Sequence, residues 1–419
     1  MMSGLPMIQY DVVVIGGGPA GMAAAVKAKE LGLNVLLLDD NEYLGGILPQ
    51  CIHPGFGIHY FKEELTGPEF AYRLTKRALE LGVDYYTAAR VLEIKNYSDL
   101  EKVVIFSSPK GAFEVWTKTI IYAAGARERH AFEIGIVGDR GAGIYTAGEA
   151  QTLMDIYGIM PGREIVIVGS GDVGLIMARR FALEGAKVKA VIELMPYPGG
   201  LARNIMILKD FDIPLYLSHK VVEVKGKNRV ERVKVIKVDE NLNEIPGTEF
   251  WIECDTVVIS AGLIPSVKLL TNIGAEIDPA TGGPIVNDLF ETTIPGIFAA
   301  GNTVLINDLV DYVAEQGELA AYGAKLFIEN GGIPTKHWIR LRKGENVRLL
   351  IPHYLSGERD VFIYARVKRP MENVEVRFPE IGKRLRLPVV KPAEMLRLKL
   401  RKEDIAKAKD GITMEVVPL

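Results

Sequence analysis

Apolar runs and glycine turns alternate along most of the chain. Asp11-Val-Val-Val-Ile15 reads as a buried parallel strand, and Gly16-Gly-Gly18 as a turn into a helix that opens at Pro19. Ala20, Ala23, Ala24, Ala25 and Ala28 keep that helix thin enough to lie close on a sheet, and Gly32 ends it after Leu31. Val35–Leu38 is a second buried strand, closed by Asp39-Asp40. Tyr43 to Gly57 has neither helical nor strand period. Thr66-Gly-Pro-Glu69 forms a capping box, and Phe70, Leu74, Ala78 and Leu81 make one face of the helix that follows, up to Gly82. Strands around Val91–Ile94, Lys102–Phe106 and Phe113–Thr117 suggest an antiparallel excursion. Ile120–Ala126 then reads as a buried strand that breaks at a small-residue turn.

The same order returns further on. Ile165–Val168 is a strand, Gly169-Ser-Gly171 a turn, and Leu175–Leu183 a helix ended by Gly185. Lys187–Ile192 is the next strand and ends on Glu193. Val221–Val224, Val230–Lys237 and Phe250–Glu253 form another excursion, and Thr256–Gly262 mirrors Ile120–Ala126. The chain therefore contains one unit twice, about 153 residues apart. Thr293–Asn302 is a further turn, strand and glycine, and a helix over Asp311–Glu329 ends in the linker Asn330-Gly-Gly-Ile-Pro334. Beyond it, Val347–Ile351, Val361–Val367, Val374–Phe378, Leu385–Val390 and Leu396–Leu400 alternate like short strands of a β-rich module.

Charge separates that module from the rest. Residues 333–419 carry 20 Lys/Arg against 11 Asp/Glu, a net of +9, and the remainder 30 against 42, a net of −12. The basic residues suit a solvated strand face, or else a docking surface for an acidic partner protein or an anionic membrane surface. The whole chain, at −3, gives no reason to expect a nucleic acid partner. Its 419 residues, 48% apolar and 25% charged, suit two or three ordinary globular domains. Two cysteines, Cys51 and Cys254, point to a reducing, cytoplasmic setting. Met1 to Gln9 lacks the pattern of a signal peptide, and no apolar run is long enough for a transmembrane helix. The six histidines make no metal-binding spacing, so no metal site is expected.

The two glycine turns carry the clearest chemistry. Gly16, Gly18 and Gly21 have the G-x-G-x-x-G spacing between a strand and a helix, with Asp39 lying 23 residues after Gly16. Gly169, Gly171 and Gly174 repeat it, with Glu193 lying 24 residues after Gly169. In such a unit the glycines permit a tight turn and close approach of a pyrophosphate. The helix N-terminus favours its charge, and the acid binds ribose hydroxyls.

In this order the motifs resemble the two-dinucleotide-binding-domain flavoproteins, the pyridine nucleotide–disulfide oxidoreductase superfamily, over about residues 10–333. The resemblance implies an α/β fold with two Rossmann-like domains of three-layer ββα type and a small β-rich C-terminal domain. It divides the chain into an FAD-binding domain (1–130 and 263–334), an inserted NAD(P)-binding domain (131–262) and a module (335–419). It assigns Gly16, Gly18, Pro19, Ala20, Gly21, Asp39, Asp40, Gly45, Gly46, Ala124, Gly125, Gly301 and Asn302 to FAD. Gly169, Gly171, Asp172, Val173, Gly174, Glu193 and Gly262 fall to NAD(H). Glu193 favours NAD(H) over NADP(H), because a carboxylate repels a 2′-phosphate.

Two features depart from that family. Asn302 stands where an Asp is usual, and an amide still bonds a hydroxyl. Cys51 follows Gly45-Gly46 alone, with no cysteine in residues 52–253, so no dithiol relay is expected. Gly45–Gly57, Glu64–Glu69 and Gly301-Asn302 with Asp308–Tyr312 look like a narrower subgroup. Its members work beside a glycerol-3-phosphate dehydrogenase-like flavoprotein, or as NADH-reactive subunits of dye-linked amino-acid dehydrogenases. The partner implied is a dehydrogenase subunit or other second flavoprotein. Homo-oligomerisation stays open. Cys51 and His53 are candidates for thiolate or acid/base chemistry beside the flavin, or for simple packing in its loop. Three activities fit: a self-contained NADH oxidase or peroxidase, a flavin-binding assembly module, and an NADH–FAD electron-transfer subunit.

Overall fold

The computed structural model describes residues 9–419. The strand Gln9–Ile15 lies inside a seven-stranded sheet, with Val35–Leu38 and then Asp84–Tyr86 parallel to it on one side. Helix α1 (Pro19–Glu30) connects the first two strands, and α2 (Gly67–Glu80) lies in the next crossover. Val12–Ile15 and Val35–Leu38 are wholly buried, which is why they read as unbroken apolar runs: both sheet faces are covered. The capping box at α2 is formed, with Thr66 N–H donating to Glu69 Oε2 at 2.8 Å.

One stretch differs from its sequence pattern. Phe113–Thr117 and Ile120–Ala126 are not two strands but one, Gly111–Tyr122. Its first half pairs antiparallel with Glu101–Ser108. Its last residues run parallel between Gln9–Ile15 and Ile297–Ala299. The polar Lys118-Thr119, which looks like a break, is held in the strand. Lys118 Nζ meets Asp11 Oδ1 at 2.7 Å, and Thr119 Oγ1 donates to the Asp11 carbonyl at 2.9 Å.

The chain forms two compact units, one reaching to Ala126 and resuming at Pro265, the other Arg127–Ile264. The second unit has a five-stranded parallel sheet, ordered Ile144–Thr146, Thr256–Ile259, Glu164–Val168, Lys187–Glu193 and Leu215–Leu217. Helices α3 (Ala147–Asp155), α4 (Asp172–Leu183) and α5 (Ala202–Asp210) accompany it. Ile165, Ile167 and Val191 face the helices through Leu175, Ala178 and Phe181. Val166, Val168 and Ile192 point the other way, against Val221, Val224, Val233 and Val235 of a separate antiparallel sheet. Three layers result from the period-two alternation of side chains.

The first unit resumes with α6 (Lys268–Asn272), the strand Ile297–Ala299 and α7 (Val310–Asn330). Helix α7 crosses α1 so closely that a Cβ on Gly317 would lie 2.1 Å from the Ala20 carbonyl oxygen. From Ile339 the chain builds a five-stranded and a three-stranded sheet around a shared core that includes Ile363, Val374, Val376, Ile412 and Met414. Ile339–Lys343, Tyr354–Leu355 and Gly411–Pro418 are strands that the sequence pattern leaves out. The first alternates, but with only two apolar residues, Ile339 and Leu341, the run is too short to stand out. The last is the middle strand of its sheet, between Ile339–Lys343 and Met371–Phe378.

Part of this region's positive charge faces inward, a use that neither sequence reading covers. Asp288 accepts from Ser356 N (2.8 Å), Ser356 Oγ (2.6 Å) and Arg359 Nη1 (2.9 Å). Asp278 lies 3.3 Å from His353 Nε2 and 3.8 Å from Lys343 Nζ. Burial alone would raise the Asp278 carboxyl, but His353, the Ala280 N–H and Lys343 together hold it below its ordinary range. Asp308 binds Arg366, and Glu315 binds Arg397. Leu349, Ile351 and Tyr364 also enter the core of the unit's main sheet.

Candidate functional site

The two glycine turns have the same geometry. Gly16 has φ +105° and Gly169 φ +99°, and a Cβ on either would lie 2.2 Å from a carbonyl oxygen, of Ala123 and of Ser260 respectively. Gly16 N–H donates to Leu38 O at 2.7 Å, and Gly169 N–H to Ile192 O at 2.8 Å. Gly21 packs on Gly16 O and Gly174 on Gly169 O, where a Cβ would sit at 1.7 and 2.7 Å. The middle glycines differ in kind. A Cβ on Gly18 would meet only Gly46 Cα, at 3.8 Å, and on Gly171 nothing within 4 Å. Open space thus faces each turn at the start of α1 and α4. Among the described residues no side chain caps either helix, whereas α2 and α3 are both closed by capping boxes. Pro19 and Ala20 open α1, and Asp172 and Val173 open α4. The free N–H groups and positive dipole end of such a helix suit a phosphate.

The two acids repeat each other as well. Asp39 Oδ2 accepts from Gly17 N–H at 2.5 Å and its Oδ1 from Asn41 N–H at 2.8 Å. Glu193 Oε2 accepts from Ser170 N–H at 2.9 Å and Oγ at 2.6 Å, and its Oε1 from Met195 N–H at 2.8 Å. Both are buried, at 6% and 8% exposure. Burial pushes the Asp39 carboxyl above its ordinary value, against the pull of the Asn41 and Gly17 N–H groups. Asp40 instead turns outward, 3.4 Å from Arg90.

A feature missed by the sequence reading completes the symmetry. Gly45-Gly46 lies over the first turn, with Gly45 N–H donating to Gly17 O at 2.9 Å. In the second unit Gly199-Gly200 takes this place, with Gly199 N–H donating to Ser170 Oγ at 2.8 Å. Leu201 N–H and Asn204 Nδ2 both bond Asp172 Oδ1, at 2.8 and 2.6 Å. The signal was present: each glycine pair begins six residues after its acid, Asp39 or Glu193.

The turns that follow the central strands also match. Gly125 (φ +64°) and Gly262 (φ +89°) both have open space where a Cβ would be. The Gly125 carbonyl, next to Ala124, accepts from Ser266 N–H at 3.0 Å and Thr303 Oγ1 at 3.2 Å. Gly301 N–H donates to Gln316 Oε1 at 3.1 Å. Asn302 Oδ1 accepts from Asn307 N and Nδ2 at 3.0 and 3.3 Å.

Cys51 and His53 lie in the loop that leads to α2. Cys51 Sγ donates to Ile47 O at 3.4 Å, and its carbonyl accepts from Gly67 N–H at 2.9 Å. His53 Nδ1 lies 3.0 Å from Pro54 O, and its ring leans on Phe56 at 5.1 Å. The loop is held from a distance by Asp311, 1% exposed, which accepts from Gly57 N (3.2 Å), His59 N (2.8 Å) and Tyr60 N (2.7 Å). Cys254, in the other unit, is buried, and burial with Asp255 beside it pushes its thiol up to about 12.

Two glycine turns of this form, each beside a buried acid, define a protein that binds two dinucleotides. The chain belongs to the pyridine nucleotide-disulphide oxidoreductase family, whose model matches residues 10–322. It is 27% identical over 337 residues to the thioredoxin reductase of Bacillus subtilis strain 168, covering 76% of this chain and 95% of that one. It is 26% identical over 317 residues to one of the opine oxidase subunits of Agrobacterium tumefaciens strain Ach5. That alignment covers 70% of this chain but 61% of the relative. The crystal structure of T. acidophilum thioredoxin reductase superposes with a TM-score of 0.64 at 25% identity, over 77% of this chain and 99% of that one. FAD and NAD(P)H are the cofactors of this family. The open space before Gly18 and Gly171, beside uncapped helices, fits their pyrophosphates. Among the described residues, no helix is long and apolar enough to cross a membrane.

Proposed function

We propose that this chain is a cytoplasmic FAD-dependent NADH oxidoreductase that exchanges electrons with a partner dehydrogenase of glycerol-3-phosphate or amino-acid type. In this reading residues 1–130 and 263–334 bind FAD, 131–262 bind NAD(H), and 335–419 form an appended module. The carrying observation is the cysteine inventory. Cys51 and Cys254 lie in different units, and Cys254 is buried with a raised pKa, so nothing supplies a dithiol between flavin and substrate. The opine oxidase relative is by its name one part of a multi-chain oxidase, which supports a partner here too.

Bound FAD supplies a hydride acceptor and an electron store. The chain's own part is to bind, orient and exclude water. Gly16–Gly21 and Gly169–Gly174 receive the phosphates on helix N-termini. Asp39 and Glu193 use some lone pairs on the turn and offer the rest to ribose hydroxyls. Glu193 selects NADH, since a 2′-phosphate would face its carboxylate.

The test is steady-state NADH oxidation by the isolated chain, with oxygen and with an artificial dye. Fast dye reduction with slow oxygen reduction is the expected result. Fast oxygen reduction would establish the oxidase reading instead, and neither would leave an assembly module. A Cys51→Ala, His53→Ala double variant is expected to keep NADH oxidation and flavin potential. A large loss in either would give that pair a chemical role.

A further inference from the structure

The start of α7 joins three parts of the first unit. Gln316 accepts from Gly301 N–H at 3.1 Å and donates to Asn307 Oδ1 at 3.0 Å, and Asn307 in turn holds Asn302 Oδ1. Asp311 holds the loop at 57–60. Between them stands Asp308. Its Oδ1 binds Arg366, and its Oδ2 accepts from Met395 N–H at 2.6 Å. Arg366 is 9% exposed and also donates to Ile306 O at 3.3 Å, to Pro392 O at 3.3 Å and to Ala393 O. One guanidinium thus grips both the Asn302–Asp308 segment and two carbonyls of the β-rich module. A planar fork of donors can reach these acceptors, and a lysine ammonium on one point cannot.

We propose that Arg366 is a positioning residue for the flavin: it fixes the Ile306–Asp308 backbone, and through Asn307 the orientation of Asn302, so that the β-rich module sets the flavin's surroundings. This rests on the reading of Gly301 and Asn302 as FAD contacts. The module holds the unit at a second junction of similar make, Asp288 with Ser356 and Arg359, that shares no residue with the Asn302 segment. It therefore serves as an internal control for docking alone.

The experiment uses the full-length holoprotein and three variants, Arg366→Met, Arg366→Lys and Arg359→Met. The readouts are flavin midpoint potential, visible circular dichroism, FAD dissociation and thermal melting. Both Arg366 variants are expected to shift the potential and the flavin dichroism. FAD should bind about tenfold or more weakly, as for loss of a charge-assisted hydrogen bond. Arg359→Met is expected to lower the melting temperature and leave the flavin signals in place. Wild-type flavin signals in Arg366→Lys, or equal shifts in Arg359→Met, would overturn the proposal. Should Arg366→Met not fold, Arg366→Lys keeps the charge and carries the comparison. Asn302→Ala tests the underlying reading separately: unchanged FAD affinity and dichroism would remove it, whatever Arg366 does.

Discussion

Asp39 and Glu193 were legible from spacing, because a strand, a tight turn and one helix fix where the next strand ends. Their use of backbone N–H groups makes them parts of the turn as well as ribose acceptors. Asp39→Asn should therefore weaken FAD binding by roughly tenfold or more, the value of one charge-assisted hydrogen bond. Titration of the apoprotein with FAD by fluorescence checks this. Glu193→Ala should narrow the gap between NADH and NADPH in kcat/KM. Asp311 was not legible in its role, since the N–H groups it binds belong to residues about 250 positions earlier. Glu291 is similar. It is buried, and burial, against the Gly296 N–H, Asn287 and Lys102, raises its carboxyl to about 7. A carboxyl raised on folding stabilises the protein fully below its unfolded value near 4.5, and that contribution is lost as pH climbs through 7. Glu291→Gln should remove this slope, about 3 kcal/mol at most, from chemical denaturation measured between pH 4.5 and 7.5.

Elements bounded by glycine, proline or a capping box were readable to within about three residues, the largest miss being the start of α4 at Asp172 and not Leu175. Helix α1 is an example, ending at Glu30 where Gly32 predicts Leu31. Elements that change partner along their length were not. Gly111–Tyr122 serves an antiparallel pair first and a parallel sheet after, and the polar Lys118-Thr119 at the change reads as the gap between two strands. Ile339–Lys343 escaped because its alternation rests on two apolar residues, Ile339 and Leu341, too few to mark a strand without its neighbours. Contact between α1 and α7 depends on a glycine that no local rule requires. Gly317 sits inside a helix, where Ala would ordinarily be favoured by about 1 kcal/mol. The Ala20 carbonyl reverses that preference, and Gly317→Ala should destabilise the protein by roughly 1–3 kcal/mol through overpacking. Thermal melting, with FAD content as a second reading, measures it.

At the scale of the whole molecule, the duplication is what sequence shows best, and tertiary charge pairing is what it shows least. The opposite net charges of residues 1–332 and 333–419 are plain in composition. That Asp278, Asp288, Asp308 and Glu315 would meet His353, Arg359, Arg366 and Arg397 is not, because each pair spans more than 50 positions. Removing residues 335–419 should leave buried carboxylates without partners and expose the apolar surface under Leu349, Ile351 and Tyr364. The truncated chain is expected to aggregate or to purify with little FAD, as size-exclusion chromatography and the flavin-to-protein absorbance ratio would show.

The position of Gly411–Pro418 bears on how the molecule is made. Synthesis runs from the N-terminus, so the strand in the middle of the five-stranded sheet leaves the ribosome after both of its neighbours. Ile339–Lys343 and Met371–Phe378 must wait unpaired on that side until it arrives. A nascent chain that stops before Gly411 lacks a central strand, and two strand edges stay open. The core that this strand closes with Ile412 and Met414 also takes Ile363, from the strand that carries Arg366, so late completion of one sheet bears on the packing of the other.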